Sequence, residues 1–230
     1  MARYKTMPVS MRTIALFVLL SATAALQAEN NSESNVADTV SNIESSLSPV
    51  TIAAEPGVAR AYFAGGCFWC MESDFEKIEG VSEAISGFTG GSLQNPTYDG
   101  DHSGHYEAIE VHYDPAIVTY QQLLSVYWRN IDPFDAGGQF CDRGNSYRAA
   151  IFTSNSAERA LALDSKAAVA AHLSKQEQFS QQKVVTPILD VTQFWPVREY
   201  HQDYYKKRTK RYKYYRWRCG RDARLADLWQ

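Results

Sequence analysis

Residues 58–78 read VARAYFAGGCFWCMESDFEKI. The first seven residues are mostly apolar and aromatic, which is typical of a strand, and the acidic amphipathic run from Met71 onwards favours a helix. The glycine pair Gly65-Gly66 allows a sharp turn and places Cys67 in the first turn of that helix. Unpaired backbone N–H groups and the helix dipole favour a thiolate at this position. The stretch therefore predicts a strand, a turn and a helix that begins with a nucleophilic cysteine.

The composition is that of a globular protein. The 230 residues are 45% hydrophobic and 13% aromatic, and their formal net charge is -3. A chain of this length can bury a full core, and we expect one folded domain. The net charge provides no global attraction to nucleic acid or acidic lipid. Its four cysteines are too few and too unevenly spaced for a small disulfide-stapled domain, so they favour a redox or nucleophilic set.

The N-terminal segment has the features of an export signal. Residues 1–28 contain the basic residues Arg3, Lys5 and Arg12, then an apolar run and a small-residue cleavage site that ends at Ala28. The apolar run falls short of the ~18 residues that a membrane-spanning helix needs, so an uncleaved anchor is the weaker alternative. An organellar transit peptide would be richer in Arg and more amphipathic. We expect a protein exported to the periplasm or secreted, with no stable membrane insertion after cleavage.

A change of composition separates this signal from the folded part. Residues 29–57 are rich in Asn, Ser, Glu and Ala and show no stable hydrophobic period. Such a segment cannot bury enough apolar surface to fold by itself, so we predict a disordered linker. The catalytic domain is expected to span residues 58–230.

The remaining hydrophobic pattern predicts alternating strands and helices. Strands are expected at residues 80–91, half-buried at 107–114, at 148–152 and at 184–191. Thr119 is expected to cap one helix, and Asn155 or Ser156 a longer one that reaches about Gln178. The order β-α-β-β-α-β-α-β predicts an α+β fold. We expect a two-layer sandwich whose mixed sheet has a split βαβ, ferredoxin-like core, followed by a polar, irregular C-terminal tail with helical character.

Cys67 and Cys70 form a Cys-x-x-Cys pair, in which one helical turn brings the second thiol within bridging reach of the first. Alone, the pair is compatible with thioredoxin-like exchange, half of a zinc site, or a nucleophile with an incidental neighbour. Zinc needs two more ligands, which His102 and His105 could supply. No second Cys-x-x-Cys is present, so zinc is the weakest of the three interpretations.

Five short motifs point to one family. They are Gly-Cys-Phe-Trp at 66–69, Gly-Phe-Thr-Gly-Gly at 87–91, Asn-Pro-Thr-Tyr at 95–98, Gly-His-Tyr-Glu at 104–107 and Cys-Asp-Arg-Gly-Asn-Ser-Tyr-Arg at 141–148. In this order they resemble the A-type peptide methionine sulfoxide reductases, from about Arg60 to the C-terminus. The resemblance implies reduction of methionine S-sulfoxide, either free or in peptides and oxidised proteins, with no metal and no bound cofactor.

The resemblance also implies roles for individual residues. Cys67 would attack the sulfoxide sulfur and become a sulfenic acid, and Phe68 and Trp69 would hold the substrate methyl group. Glu107 would protonate the sulfoxide oxygen, which requires a neutral carboxyl group, so we predict burial and a raised pKa. The residues expected to bind the oxygen or order water are Tyr98, Asp142 and Tyr147.

The thiol that resolves the sulfenic acid is open among three cysteines. Cys219 is favoured because it lies in a flexible Cys-Gly step flanked by arginines, which favour a thiolate. Cys141 precedes Asp142, and Cys70 is nearest in sequence, although a position inside the helix could point it away from Cys67. An external dithiol reductant of the thioredoxin type would reopen the disulfide.

The C-terminal residues 206–218 mix basic and aromatic side chains. Such a mixture can bind single-stranded nucleic acid, but we favour a solvated tail whose aromatics pack back onto the sheet, and no nucleic-acid partner. We expect a monomer. The rival functions are a general thiol-disulfide oxidoreductase and a Cys/His zinc-binding structural module.

Overall fold

The computed structural model describes residues 57–229. The predicted signal at 1–28 and all but the last residue of the predicted linker lie outside the described residues. Among the described residues, no helix is long and apolar enough to cross a membrane.

Eight strands and six α-helices form the described part of the chain. The strands are β1 Ala59–Gly65, β2 Val81–Thr89, β3 Tyr106–Tyr113, β4 Gly138–Gln139, β5 Asp142–Arg143, β6 Ala149–Thr153, β7 Ile188–Asp190 and β8 Trp195–Pro196. The helices are α1 Phe68–Phe75, α2 Tyr120–Trp128, α3 Ser156–Leu173, α4 Tyr204–Lys207, α5 Thr209–Arg218 and α6 Arg221–Leu228. The 3₁₀ turns Asn145–Tyr147 and Glu177–Phe179 complete the set.

The main sheet has six strands in the order β7-β6-β1-β3-β2-β8. Strand β3 lies between β1 and β2 and is antiparallel to both, and β6 is antiparallel to β1 on its other side. The unit β1-α1-β2 is therefore a βαβ unit split by β3, as in ferredoxin-like folds. The pairing of β6 with β7 is parallel, which makes the sheet mixed. The predicted α+β fold with a split βαβ core is confirmed.

Alternate residues of β1 face two different hydrophobic clusters. Ala61 and Phe63 join the main core, which α1, α2 and α3 complete, whereas Tyr62 and Ala64 join a smaller cluster that includes Phe194. Both faces of the sheet are therefore covered, and all eight residues of β3 are buried. The prediction of a half-buried strand at 107–114 is wrong for this reason, because the alternating pattern reflects buried polar groups rather than solvent contact.

Several element boundaries follow local signals. Thr119 caps α2 through a capping box with Gln122, and Asn155 caps α3 by accepting the Glu158 N–H. Helix α3 ends at Leu173, earlier than predicted, and the chain continues through a 3₁₀ turn. Only Ile188–Asp190 of the predicted strand at 184–191 pairs, and it lies at the edge of the sheet directly after Pro187.

The C-terminal tail forms the three short helices α4, α5 and α6. The predicted helical character of the tail is confirmed, whereas the description of the tail as irregular is wrong. Asp203 and Gly220, both in the left-handed region with φ of 55° and 72°, precede α4 and α6 respectively. Tyr204 and Tyr212 of this tail are buried against Cys67 and Cys70. The tail therefore covers the reactive stretch instead of extending into solvent.

Candidate active site

Cys67 is the N-cap of α1, one residue before the predicted position in its first turn. Gly66 precedes it with φ of 81°, and a Cβ there would lie 2.6 Å from Gln139 Cβ, so the tight approach requires glycine. The Cys67 side chain is 5% exposed. Burial raises the pKa of its thiol well above the ordinary value, and the neighbouring Cys70 and Glu107 act in the same direction. Burial thus favours the neutral thiol, and the expectation of a thiolate at Cys67 is not met in this state.

Cys70 faces Cys67 across one turn of α1. Interaction with the Cys67 thiol lowers the pKa of Cys70, and the guanidinium groups of Arg221 and Arg216 lower it further. The concern that a position inside the helix would point Cys70 away is therefore wrong. Between the two buried thiols, the proton stays on Cys67 and the thiolate forms more readily on Cys70.

Glu107 lies on β3 beside the start of α1. Its side chain is 3% exposed, and its Oε2 accepts the Phe68 N–H at 3.2 Å. Burial raises the pKa of Glu107 to about 8, and the negative charges of Asp142 and Cys70 also raise it. The carboxyl group is thus buried with a raised pKa, as the sequence predicts, and it is largely neutral at pH 7.

Aromatic rings enclose the space beside the thiol. Phe68 is fully buried, and the ring of Tyr98 lies 6.0 Å from Phe68 and 6.2 Å from Trp69. The Tyr204 ring stacks on Trp69 at 3.9 Å, and His201 lies 5.8 Å from Trp69 and 4.1 Å from Tyr98. These rings can accept an apolar methyl group and exclude water around it.

Two nitrogen atoms in this enclosure are buried without a hydrogen-bond partner among the described residues, Trp69 Nε1 and His201 Nδ1. Burial also lowers the pKa of His201, so the ring is neutral at pH 7. An unpaired buried N–H is unfavourable unless a ligand completes it. The enclosure is therefore mostly apolar, but its two unpaired nitrogen atoms can still hydrogen-bond a ligand. This combination suits a substrate that carries a methyl group and a polar oxygen.

Asp142, Tyr98 and Tyr147 lie close to Glu107 and to one another. Burial raises the pKa of Tyr98 to about 12, with Glu107 and Cys67 contributing, and the pKa of Tyr147 is raised by burial and by Glu107. The Tyr215 hydroxyl donates to Asp142 Oδ2. Burial raises the pKa of Asp142, and this hydrogen bond together with Arg221 partly offsets the shift. The predicted oxygen-binding residues are thus brought together around Glu107.

The structure adds three site residues that the sequence analysis missed, His201, Tyr204 and Tyr215. All three come from the C-terminal tail, and Tyr215 contacts both Asp142 and the Cys67 thiol. The run Glu199-Tyr-His-Gln-Asp-Tyr-Tyr205 is rich in aromatics, and this composition is a local signal for His201 and Tyr204. Tyr215 lies in the basic and aromatic run 206–218, whose aromatics are expected from the sequence to pack back onto the sheet.

Cys141 and Cys219 form a disulfide, with the sulfurs 2.06 Å apart and the Cα atoms 4.9 Å apart. Cys67 and Cys70 are free thiols. Cys141 is exposed, so the disulfide is accessible from solvent. The assignment of Cys219 as the resolving thiol stays a prediction, because its sulfur is bonded here to Cys141 and not to Cys67.

The zinc alternative lacks its ligand set in the described residues. His102 Nδ1 contacts the Thr97 carbonyl, and His105 Nε2 contacts the Leu93 carbonyl. Neither histidine joins Cys67 or Cys70 in the groups of ligating side chains found between residues 57 and 229. The histidines instead pack around Phe88.

The basic tail is only partly packed. Tyr212 is buried and Tyr215 half-buried, whereas Tyr214 and Trp217 are 62% and 73% exposed. The expectation that the tail aromatics pack onto the sheet therefore holds for only one side of α5. The aromatic residues on that side also pack against Cys67 and Cys70.

Comparison with known proteins agrees with this geometry. Residues 59–230 match the family described as peptide methionine sulfoxide reductase. The chain is 48% identical over 179 residues to peptide methionine sulfoxide reductase MsrA 2 of Caulobacter vibrioides, covering 76% of this chain and 88% of the relative. It is 44% identical over 172 residues to MsrA of Bacillus licheniformis, covering 74% and 92%.

Solved structures show the same fold. Methionine sulfoxide reductase A of Corynebacterium diphtheriae has a TM-score of 0.60 and 30% identity, and the match covers 66% of this chain and 76% of that one. The fold also resembles reduced Mxr1 from Saccharomyces cerevisiae, with a TM-score of 0.59 and 24% identity over 70% and 92% of the two chains. This chain belongs to the A-type peptide methionine sulfoxide reductases, enzymes that reduce methionine sulfoxide by thiol chemistry.

Proposed function

We propose that the enzyme reduces the S epimer of methionine sulfoxide, free or in oxidised proteins and peptides, with Cys67 as the nucleophile and Glu107 as the proton donor. One observation is the main support for this assignment. A buried carboxyl group with a pKa of about 8 accepts a hydrogen bond from the N–H of Phe68, the residue that follows Cys67. A neutral acid at this position can protonate a sulfoxide oxygen while the adjacent sulfur is attacked.

The reaction balances without any further group. The Cys67 sulfur forms a bond to the sulfoxide sulfur, and Glu107 donates its proton to the oxygen. The oxygen then passes to Cys67 as a sulfenic acid, the thioether leaves as methionine, and the thiol proton of Cys67 restores Glu107. Phe68, Trp69 and Tyr204 hold the methyl group, while Tyr98 and Tyr147 hydrogen-bond the oxygen as its charge grows.

Cys70 is the thiol that first meets the sulfenic acid in this scheme. It interacts with Cys67 across one helical turn and has the lower pKa of the pair. Condensation gives a Cys67–Cys70 disulfide and water. Exchange with the reduced thiols of Cys141 and Cys219 then restores the buried pair and leaves the Cys141–Cys219 disulfide.

A dithiol reductant of the thioredoxin class completes the cycle. The exposure of Cys141 supports this step, because a reductant must reach a sulfur of the disulfide directly. No bound cofactor enters the scheme. We place the enzyme outside the cytoplasm on the basis of the signal-like residues 1–28.

Single-turnover chemistry without reductant tests both parts of the scheme. In a reduced Cys141→Ser/Cys219→Ser variant, we expect a stoichiometric amount of methionine and a Cys67–Cys70 disulfide on peptide mapping. Adding Cys70→Ser should leave the methionine yield unchanged and make Cys67 reactive towards dimedone, which traps sulfenic acids.

The two parts fail in different ways. If the Cys141→Ser/Cys219→Ser variant forms no methionine, Cys67 and its immediate surroundings do not suffice for the reduction. The assignment of Cys67 as the nucleophile in this scheme is then contradicted. If dimedone labels Cys67 equally with and without Cys70, then Cys70 does not resolve the sulfenic acid, and Cys219 returns as the first candidate.

A further inference from the structure

The side chains of Cys141, Asp142 and Cys219 converge at one point of the surface. Their ligating atoms all lie within 4.8 Å of one another. Cys141 Sγ is 3.7 Å from Asp142 Oδ1, and Cys219 Sγ is 3.9 Å from Asp142 Oδ2. Whenever the disulfide is reduced, this point presents two thiols and a carboxylate.

A tetrahedral metal site would use one oxygen of Asp142 together with both sulfurs. With metal–sulfur bonds of about 2.3 Å and a metal–oxygen bond of about 2.1 Å, ligand atoms lie about 3.6 Å apart for sulfur and oxygen and about 3.8 Å apart for two sulfurs. The distances of 3.7 Å and 3.9 Å end at different oxygens of Asp142, so either oxygen already lies near this separation from one sulfur, and one ligating atom from each residue lies within 4.8 Å of the others. Once the S–S bond is open, side-chain rotation about the Cα–Cβ bonds can separate the sulfurs and bring the second sulfur to the shared oxygen.

The charges of the site also favour a divalent cation. Two thiolates and a carboxylate carry three negative charges, so a divalent ion leaves one, and the guanidinium of Arg221 interacts with Asp142 from the protein side. Cys141 is exposed, which leaves the fourth tetrahedral position open to water. Thiolates select soft d¹⁰ ions over magnesium or calcium.

We propose that Cys141, Asp142 and Cys219 bind a soft divalent cation such as Zn²⁺ when the disulfide is reduced, and release it when the disulfide forms. Binding displaces one proton from each thiol and transfers no electrons. A bound ion occupies both sulfurs, so they cannot donate electrons to the Cys67–Cys70 disulfide. This block of electron transfer rests on the proposed function, whereas the binding of the metal ion does not.

Cadmium provides the direct test, because thiolate–cadmium bonds give a charge-transfer absorption in the ultraviolet. In a reduced Cys67→Ser/Cys70→Ser variant, we expect this absorption to saturate at one ion per chain, and Zn²⁺ to compete for the same site. Oxidation to the disulfide should abolish it. In the same background, Asp142→Asn should weaken binding by about tenfold or more, and Cys141→Ser should remove the dithiol signal.

Asp227→Asn is the matched control, since it removes the same charge from an exposed position of α6. It should leave the affinity unchanged, and circular dichroism should confirm that each variant is folded. The proposal is overturned if the reduced variant shows no cadmium–thiolate absorption, or if Asp142→Asn and Asp227→Asn bind cadmium with equal affinity.

Catalysis supplies a second readout. In the fully reduced wild-type enzyme, Zn²⁺ should suppress repeated turnover while sparing the first equivalent of methionine. The first turnover of the Cys141→Ser/Cys219→Ser variant should not respond to Zn²⁺, and inhibition there would assign the metal to Cys67 and Cys70 instead. Failure to form methionine without Zn²⁺ would contradict the proposed function while leaving the cadmium result valid.

Discussion

Glu107 shows how a single side chain can combine a structural and a chemical task. Its Oε2 accepts the Phe68 N–H at the start of α1, and its carboxyl group is buried with a pKa raised to about 8. The hydrogen bond favours the charged form of the carboxyl group, but burial has the larger effect. The acid therefore stays neutral at a pH where an exposed glutamate would be ionised.

Replacing Glu107 with glutamine should remove the proton donor while keeping the size of the side chain and an acceptor for the Phe68 N–H. We expect kcat for methionine sulfoxide to fall by about 10²–10⁴-fold, in the range of general acid catalysis. Glu110→Gln is the matched control, because Glu110 is also buried on β3 but pairs with His112 and Arg60. Equal kcat values of wild type and Glu107→Gln would show that Glu107 is not the proton donor.

The pH dependence has a definite sign. A donor must be protonated, and the fraction of protonated Glu107 decreases as the pH rises through about 8. We therefore expect kcat to be steady near pH 6–7 and to fall above about pH 8. Single-turnover rates from pH 6 to 10 would measure this, and the decreasing limb should be absent from the Glu107→Gln profile. An activity that rises steadily across pH 8 would contradict the assignment.

At the scale of elements, a buried carboxylate joins α1 to the segment before α4. Glu72 is 1% exposed, its Oε1 accepts the Asp203 N–H at 2.5 Å, and its Oε2 accepts the Ser86 hydroxyl at 2.6 Å. Burial raises the pKa of Glu72 to about 7. Asp203 adjoins Tyr204, which stacks on Trp69. Glu72 therefore holds one wall of the methyl pocket in position without lining it.

Glu72→Ala should loosen this wall. We expect the KM for methionine sulfoxide to rise by about tenfold with a smaller change in kcat, since the reacting groups are untouched. Glu72→Gln should restore most of the affinity because an amide can still accept the Asp203 N–H. Glu76→Ala, at the C-cap of α1, is the control, because Glu76 contacts Tyr205 and Lys206 outside the pocket. An equal KM for Glu72→Ala and Glu76→Ala would refute the role of Glu72.

The elements that could be predicted from the sequence are those with local causes. Thr119 and Asn155 cap their helices through groups three residues away, and the glycine turn before Cys67 requires no distant contact. The C-terminal helices depend on distant partners instead. Arg216 pairs with Asp74 on α1, and the buried Arg221 donates to the Gly65 and Asn130 carbonyls. A run such as TKRYKYYRWR contains no apolar stripe that would have indicated this.

The same distinction applies to the site. Cys67, Phe68 and Trp69 are adjacent in sequence, and the resemblance to the family supplied Glu107, so both could be assigned before the structure. His201, Tyr204 and Tyr215 reach the site only because the tail folds over α1. The pairing of Cys141 with Cys219 spans 78 residues, and four cysteines allow three pairings that spacing alone does not distinguish.

At the scale of the whole molecule, that disulfide connects the loop before β5 to the end of α5. The tail covers Cys67, so the redox state of an exposed bond is linked to the order of the segment over the active site. Opening a cross-link between distant residues increases the entropy of the unfolded chain. The reduced enzyme should therefore be the less stable form of the molecule.

We expect reduction with dithiothreitol to lower the free energy of unfolding by about 2–4 kcal/mol. For a domain of this size, that corresponds to a decrease in Tm on the order of 5–10 °C. Calorimetry of the oxidised and reduced forms would measure it. A Cys141→Ser/Cys219→Ser variant should melt near the reduced wild type and should not respond to dithiothreitol. Cys70→Ser, which leaves the disulfide intact, should respond as fully as the wild type. A Tm independent of redox state in the wild type would mean that the tail keeps its packing through contacts such as Arg216 with Asp74, and that the disulfide serves electron transfer without stabilising the fold.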